Sequence, residues 1–304
     1  MKIITTTEES LFEQANAIGS KPETEDKTII FLTDYYEDFL IASKINKDNP
    51  ADLNEEKVKD LIMNKYFSTC EYPYIVEDYV YDPAVNKAAE LQKTIDGIKD
   101  NYEIIIENVF DSLKKSRSLI ENDDVSVYIL PANPDKKHLA EIIGGIFALC
   151  GGSREIVLLI DTEIKGWLEM LKYCVAHEYH HVCWTRNNYE KTTKWTLIDC
   201  LVFEGRADSF AHLVYPEIYN SPSFALSEEE KSELWNKIKG SLETTDFLLQ
   251  REIMFGSENY PRWGGYTLGY DIVQKFLLEN KDISADNWTD IEGETIFLKS
   301  NYGK

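Results

Sequence analysis

The spacing of apolar residues predicts helices across the first third of the chain. In "DYYEDFLIASK" (34–44) and "LNEEKVKDLIMNKYF" (53–67), apolar side chains recur every three or four positions, which is the repeat of one helix face. A longer stretch with this repeat covers 84–120, and a break is predicted near Gly97 or Asn101. No polar cluster in these helices indicates a chemical role, so we interpret them as scaffold or cleft wall.

The pattern changes in the middle of the chain. "VSVYILPAN" (125–133) alternates and is rich in β-branched residues, and two short apolar runs follow it, "GGIFALCGG" (144–152) and "EIVLLID" (155–161). We predict three strands, the last two forming an antiparallel pair because "GGSRE" between them is a typical turn. The helical repeat returns over 161–184, so a helix directly follows this small sheet.

The last third is again predicted to be helical. Three helices are expected there: one over 195–217, one over 227–249, and one that a Gly-rich loop enters within 259–280. Ser227 and Glu230, three positions apart, predict a capping box at the start of the second of these helices. The whole pattern indicates an α+β fold with a small antiparallel or mixed sheet between mostly helical ends. We expect a helical region over 1–122 and a second region over 123–304, within one continuous globule.

Charge and cysteine content narrow the classes of partner and compartment. The net charge is −22, from 54 acidic and 32 basic residues, which argues against binding to nucleic acid or to anionic membranes. Five cysteines without a CxxC spacing indicate reduced thiols and therefore a cytoplasmic protein. The N-terminus has no basic start followed by an apolar run, and we predict neither a signal peptide nor a membrane helix. The sequence does not indicate an oligomeric state.

Three of the five histidines lie together in "CVAHEYHHVCW" (174–184). His177 and His181 are four positions apart, so both imidazoles share one helix face. Glu178 lies about 100° round the helix from His177, beside the point on which the two imidazoles converge. In this H-E-x-x-H arrangement the histidines bind zinc and the glutamate reaches the water on the metal. A histidine packed in the core is the commoner fate of a lone histidine, but it does not explain three together.

The pattern has a chemical purpose. Zinc lowers the pKa of its bound water towards about 7, and a nearby carboxylate can accept the proton as that water attacks a carbonyl. His180 lies on the other side of His177 and has three interpretations: it flanks the metal, it donates to substrate, or it packs behind the site. We favour packing.

A third metal ligand is predicted in "FEGRADSF" (203–210). Glu204 and Asp208 share a helix face, so Glu204 can reach the metal while Asp208 accepts the ring N–H of a ligand histidine. The alternative is a solvated acidic face, which the apolar flanking residues disfavour. Gly205 is expected to let the two ligand helices approach closely. A site with a cysteine ligand is a further alternative, but we interpret the nearby cysteines as small core residues: Cys174, Cys183 and Cys200.

The motifs "HEYHH", "EGRAD" and "PRWGGYTLGY" together resemble the gluzincin metallopeptidases, and more specifically a bacterial family of predicted zinc-dependent proteases, over roughly 125–280. The resemblance implies a zincin-like fold in which His177, His181 and Glu204 bind zinc and Glu178 is the general base. It also implies that "EIVLLID" is the edge strand along which an extended peptide lies.

A group that stabilises the oxyanion is expected in "PRWGGYTLGY" (261–270). Tyr266 is our first choice, and Arg262 and Tyr270 are the alternatives. The interpretation that assigns no function is an aromatic helix start that packs on the core. The predicted activity is therefore zinc-dependent hydrolysis of peptide bonds in a peptide or protein substrate. The alternatives are a metal-stabilised binding or scaffold protein with little turnover, and hydrolysis of another amide or an ester. A purely structural metal site has no need of Glu178.

Overall fold

A computed structural model of the protein describes residues 2–5, 27–45, 57–138, 143–191 and 194–303. The strands are β1 (Lys2–Thr5), β2 (Lys27–Phe31), β3 (Val125–Pro131), β4 (Ile146–Cys150) and β5 (Glu155–Ile160). The first helices are α1 (Thr33–Ile45), α2 (Val58–Ile62), α3 (Pro73–Tyr79), α4 (Ala88–Asp100), α5 (Tyr102–Arg117) and α6 (Trp167–Asn188). They are followed by α7 (Leu197–Val214), α8 (Glu228–Ile238), α9 (Phe247–Phe255), α10 (Gly264–Glu279), α11 (Ala285–Thr289) and α12 (Gly293–Ser300). Over these described ranges, no helix has the length and apolar character needed to cross a membrane.

The strands form one mixed sheet in the order β1-β2-β3-β5-β4. The first four in this order are parallel, and β4 pairs antiparallel with β5, as the "GGSRE" turn between them predicts. The sheet is followed directly by α6, and helices make up most of the described chain on either side of it. The predicted α+β class with a small mixed sheet is therefore confirmed.

Two strands in the first third of the chain were missed by the sequence patterns. Strands β1 and β2 lie within the region predicted to be helical over 1–122, so that prediction is wrong for these residues. The run "KTIIF" is too short for apolar periodicity to distinguish a strand from a helix turn. Its conformation is fixed by pairing with β3, which lies far away in the sequence.

The position of β5 also differs from the prediction. "EIVLLID" was expected at the sheet edge, but β5 lies between β3 and β4, and β4 is the edge strand. The physical reason is that β5 is apolar on both faces: Ile156 to Ile160 are all buried. Such a run belongs inside a sheet, whereas two of the five residues of β4 are only partly buried.

The chain divides into two compact units, and the first comprises residues 1–117 and 122–182. Its core lies on one face of the sheet, where Tyr128 and Leu130 of β3 stand beside Val157 and Leu159 of β5. Their two-residue spacing is the pleat repeat of a strand. Helices α1 to α4 cover this face with buried apolar side chains: Tyr36, Leu40, Val58, Ile62, Val76, Leu91 and Ile95.

The predicted helices of this unit are largely confirmed. The 34–44 helix is α1, and the long 84–120 stretch is broken at Asn101, between α4 and α5, and not at Gly97. The 53–67 helix is α2, continued as one turn of π-helix over Met63–Phe67. Its first four predicted residues, 53–56, lie outside the described residues.

The second unit comprises residues 118–121 and 183–304. Its capping box is confirmed, since the Ser227 hydroxyl accepts from Glu230 N and the Glu230 carboxylate accepts from Ser227 N. The helix predicted over 227–249 ends at Ile238, and a separate helix, α9, begins after Asp246, whose carboxylate accepts from two backbone N–H groups of its first turn. The cap residue therefore starts a helix that the apolar repeat alone had merged with its neighbour.

Helices α7 and α10 meet backbone to backbone at two glycines. A Cβ on Gly205 would lie 2.1 Å from the Gly269 carbonyl oxygen, and a Cβ on Gly269 would lie 2.1 Å from the Leu201 carbonyl oxygen. Gly205 was expected to admit the helix of the histidines, whereas the helix in contact with its Cα is α10. The absence of a side chain at both positions is what allows this approach.

We expect Gly205→Ala to lower the free energy of unfolding by about 2–3 kcal/mol, because α7 and α10 must move apart. Helix propensity alone would favour alanine by about 1 kcal/mol, so the sign of the change distinguishes the two effects. The matched control is Gly240→Ala, where no atom lies within 4 Å of the new Cβ. Chemical denaturation measures both variants, and a Gly205→Ala protein as stable as the Gly240→Ala protein contradicts the close approach.

Candidate metal centre

The two predicted histidine ligands converge on the second half of α6. Nε2 of His177 and Nε2 of His181 are 3.0 Å apart, and their rings lie nearly perpendicular at 79°. The four-residue spacing on one continuous helix produces this convergence, since such side chains lie one above the other. His181 is buried, and His177 is half-buried.

The structure brings Glu204 to this pair. One ligand atom each from His177, His181 and Glu204 lies within 4.8 Å of the others. Among the residues that the structure describes, no other group of three or more His, Cys, Asp or Glu side chains could hold a metal ion. Glu204 is half-buried in α7, whose start is fixed by a capping box between Thr196 and Asp199. The donor set is two imidazole nitrogens and one carboxylate oxygen.

The remaining members of the histidine motif are buried. Glu178 is 6% exposed. A buried carboxylate is destabilising unless it is hydrogen-bonded, paired with a charge or bound to a metal. His180 is fully buried, and its ring centroid lies 6.4 Å from that of His181. Full burial supports the interpretation of His180 as a packing residue. The roles of Glu178 and His180 stay predictions.

Asp208 is fully buried, so the alternative of a solvated acidic face does not hold for this residue. Its Oδ1 accepts from the Asn220 side-chain amide at 2.9 Å, and its Oδ2 accepts from the Ser223 hydroxyl at 2.8 Å. The predicted bond from a ligand-histidine ring N–H to Asp208 stays a prediction.

The cysteines near the site behave as small core residues. Cys174 and Cys183 are buried, and all five cysteines of the chain are thiols. Burial, followed by the charges of Glu204 and Asp199, raises the pKa of Cys200 to about 12. The group that could hold a metal, within the part of the chain that the structure describes, contains no cysteine.

The three candidates for oxyanion stabilisation lie at and after the start of α10. Tyr266 is half-buried, with its ring centroid 5.2 Å from Trp263. Arg262 is exposed and lies 5.5 Å above the Trp263 ring. Tyr270 packs against His212, and burial is the largest cause of its pKa rising to about 12. All three are therefore engaged with aromatic neighbours, and the choice of Tyr266 stays a prediction.

Sequence patterns missed the two residues that donate to the Asp208 carboxylate. Asn220 lies in the segment after α7, and Ser223 lies in a single 3-10 turn over Pro222–Phe224, so neither belongs to an apolar repeat. Asn220 also donates to the Ser223 hydroxyl at 3.1 Å. The only signal for them in the sequence is indirect: a carboxylate inside an apolar helix requires donors from somewhere.

Comparison with known proteins locates the same part of the chain. A family model described as "Predicted Zn-dependent protease (DUF2268)" matches residues 105–298, which include α6, α7 and α10. The uncharacterized protein YjaZ of Bacillus subtilis (strain 168) is 23% identical over 201 residues, covering 63% of this chain and 75% of its own length. No solved structure matches the chain.

Proposed function

Because the chain belongs to the family described as predicted Zn-dependent proteases, we propose that it is a zinc metallopeptidase that hydrolyses peptide bonds. The observation that carries this proposal is the convergence of ligand atoms from His177, His181 and Glu204 within 4.8 Å. The three ligand residues all lie within residues 105–298, the part of the chain that the family model matches.

The donor set fits zinc. Zinc binds imidazole nitrogen at about 2.0–2.1 Å and carboxylate oxygen at about 2.0–2.2 Å in a tetrahedral arrangement, which places neighbouring ligand atoms roughly 3.3 Å apart. The 3.0 Å between the two Nε2 atoms is close to this spacing, and 4.8 Å bounds all three atoms. Two histidines and one glutamate are also the ligands of a known class of catalytic zinc site, which keeps a fourth position open.

In this proposal the residues of the chain have separate tasks. His177, His181 and Glu204 hold the metal, and zinc supplies Lewis acidity that polarises a carbonyl and makes water a stronger acid. Glu178 accepts the proton of the attacking water and delivers it to the leaving amine. Glu178 is 6% exposed and follows the ligand His177 directly in the chain, which places it beside the proposed metal centre.

Further residues assist the reaction. Tyr266 is our candidate donor to the developing oxyanion, which a phenol O–H can stabilise from a fixed position. Asp208, held by Asn220 and Ser223, is our candidate acceptor for the outer ring N–H of a ligand histidine. Such a bond fixes the histidine tautomer, so that the other ring nitrogen keeps its lone pair for the metal.

A metal analysis combined with a mixed peptide library tests the proposal. We expect about one zinc per chain in the purified protein and cleavage of library peptides that stops after treatment with a chelator and returns with added zinc. Bound zinc without cleavage of any peptide would instead favour a metal-stabilised binding protein. A protein that binds no zinc when zinc is supplied contradicts the proposal altogether.

A further inference from the structure

A carboxylate just after α11 receives both asparagines at the end of the histidine helix. Asn187 donates to Asp290 Oδ1 at 3.1 Å and to Oδ2 at 3.2 Å, and Asn188 donates to Oδ1 at 3.0 Å. Asn187 and Asn188 are the last two residues of α6, the helix of His177 and His181. One side chain therefore ties down the final turn of that helix.

The glutamate helix holds the backbone on both sides of the same residue. Arg206 of α7 donates from Nη1 to the Thr289 carbonyl at 3.2 Å and from Nη2 to the Ile291 carbonyl. Arg206 is 2% exposed, and these two bonds use its Nη1 and Nη2 donors, whereas its Nε has no hydrogen-bond partner among the described residues. Residues 289–291, which we name the brace, are thus bound to α6 through a side chain and to α7 through their backbone.

Helix stability does not explain this placement of Asp290. The C-terminal end of a helix carries partial negative charge, so a carboxylate beside the end of α6 is unfavourable by several tenths of a kcal/mol. The positive charge of Arg206 offsets that cost. Burial lowers the pKa of Arg206, and the negative charges of Asp199 and Asp290 act in the opposite direction. A role in joining α6 to α7 explains why Asp290 and Arg206 are placed here.

The brace itself is well fixed. Thr289 is buried, and its hydroxyl donates to the Ala285 carbonyl at 2.7 Å, which ties it into α11. Trp288 beside it is also buried. Hydrogen bonds to a fixed segment restrict the position of the helices that make them, whereas hydrogen bonds to a mobile segment do not.

We propose that the brace sets the spacing between the two ligand helices, so that Asp290 and Arg206 are positioning residues for the metal centre. Arg206 is two residues from Glu204, and Asn187 is six residues, or about 9 Å along a rigid helix, from His181. A shift at either end moves a ligand atom relative to the others. This inference rests on the proposed function, because it assumes that His177, His181 and Glu204 bind zinc.

Asp290→Ala tests the brace with little risk to folding, because Asp290 is exposed. We expect its zinc affinity, measured by competition with a chromophoric chelator, to fall about tenfold, the lower end of the loss for direct partners of metal ligands, because Asp290 acts through α6 and not by a bond to a ligand. The absorption bands of the cobalt-substituted protein should also shift, since they report ligand geometry. Asp290→Asn keeps an acceptor for both asparagines and should restore most of the affinity. Asn187→Ala, which removes two of the three bonds at the helix end, should resemble Asp290→Ala.

The matched control is Glu230→Ala, which removes another exposed carboxylate of the second unit with two hydrogen bonds of its own, both from Ser227. A general loss of stability would lower zinc affinity in both variants, whereas the brace affects only Asp290→Ala. Wild-type affinity and unchanged cobalt bands in Asp290→Ala overturn the inference, and so does an equal loss in the control. If the wild-type protein itself binds no zinc, the proposed function fails first, which is a distinct result.

Discussion

Glu178→Gln is expected to lower kcat for peptide hydrolysis by about 10³-fold while leaving one zinc per chain. Glutamine has nearly the same shape as glutamate but cannot accept a proton from the attacking water, and general-base catalysis contributes about 10²–10⁴-fold. The substitution lies outside the three proposed metal ligands, so zinc content should not change. Steady-state kinetics on a cleaved library peptide and metal analysis of the same preparation measure both parts.

The control for this variant is Glu169→Gln, because Glu169 lies on the same helix and is exposed. It should hydrolyse at the wild-type rate. If Glu178→Gln, with full zinc content, also retains a rate within tenfold of wild type, Glu178 is not the general base. Loss of zinc together with loss of rate would instead assign Glu178 to the ligand set.

His181→Ala and Glu204→Ala should each reduce zinc affinity by several hundredfold. Structural zinc sites with four protein ligands bind with about 10–16 kcal/mol, so one ligand accounts for roughly 3–4 kcal/mol. Both variants remove a donor from the group of three that lies within 4.8 Å. Chelator competition gives the affinity, and far-ultraviolet circular dichroism verifies that the variants fold.

His138→Ala is the matched control, since His138 is exposed and belongs to a different part of the chain. It should bind zinc as the wild type does. A Glu204→Ala protein with wild-type affinity removes this residue from the ligand set and leaves a site with only two protein donors. Such a result also removes the basis on which Arg206 is assigned a positioning role.

The candidate site was predictable because its signals are local. The spacing of His177 and His181 on one helix places both rings on the same face, whatever the rest of the fold does. Glu204 was identified from a carboxylate among apolar neighbours, and the structure brings its ligand atom to the histidine pair. Helix periodicity and the capping box at Ser227 and Glu230 likewise depend on residues a few positions apart.

What the sequence did not reveal depends on contacts between distant residues. Strands β1 and β2 are defined by pairing within the sheet, and the interior place of β5 follows from strand order, which no local pattern encodes. The backbone nearest to Gly205 is that of Gly269 and not that of the histidine helix. A glycine in a sequence can indicate a close approach, but it does not indicate which element approaches. Asn220, Ser223 and Asp290 are single polar residues outside the long helices, and only the structure shows which residues they bond.

The contact between Gly205 and Gly269 has a consequence for how this half of the protein can deform. With main chain against main chain, no side-chain rotamer can change to let α7 and α10 move closer together. Glu204 precedes one glycine, and Tyr266 lies one helical turn before the other. The glycine pair therefore limits how closely the helices that carry Glu204 and Tyr266 can approach each other.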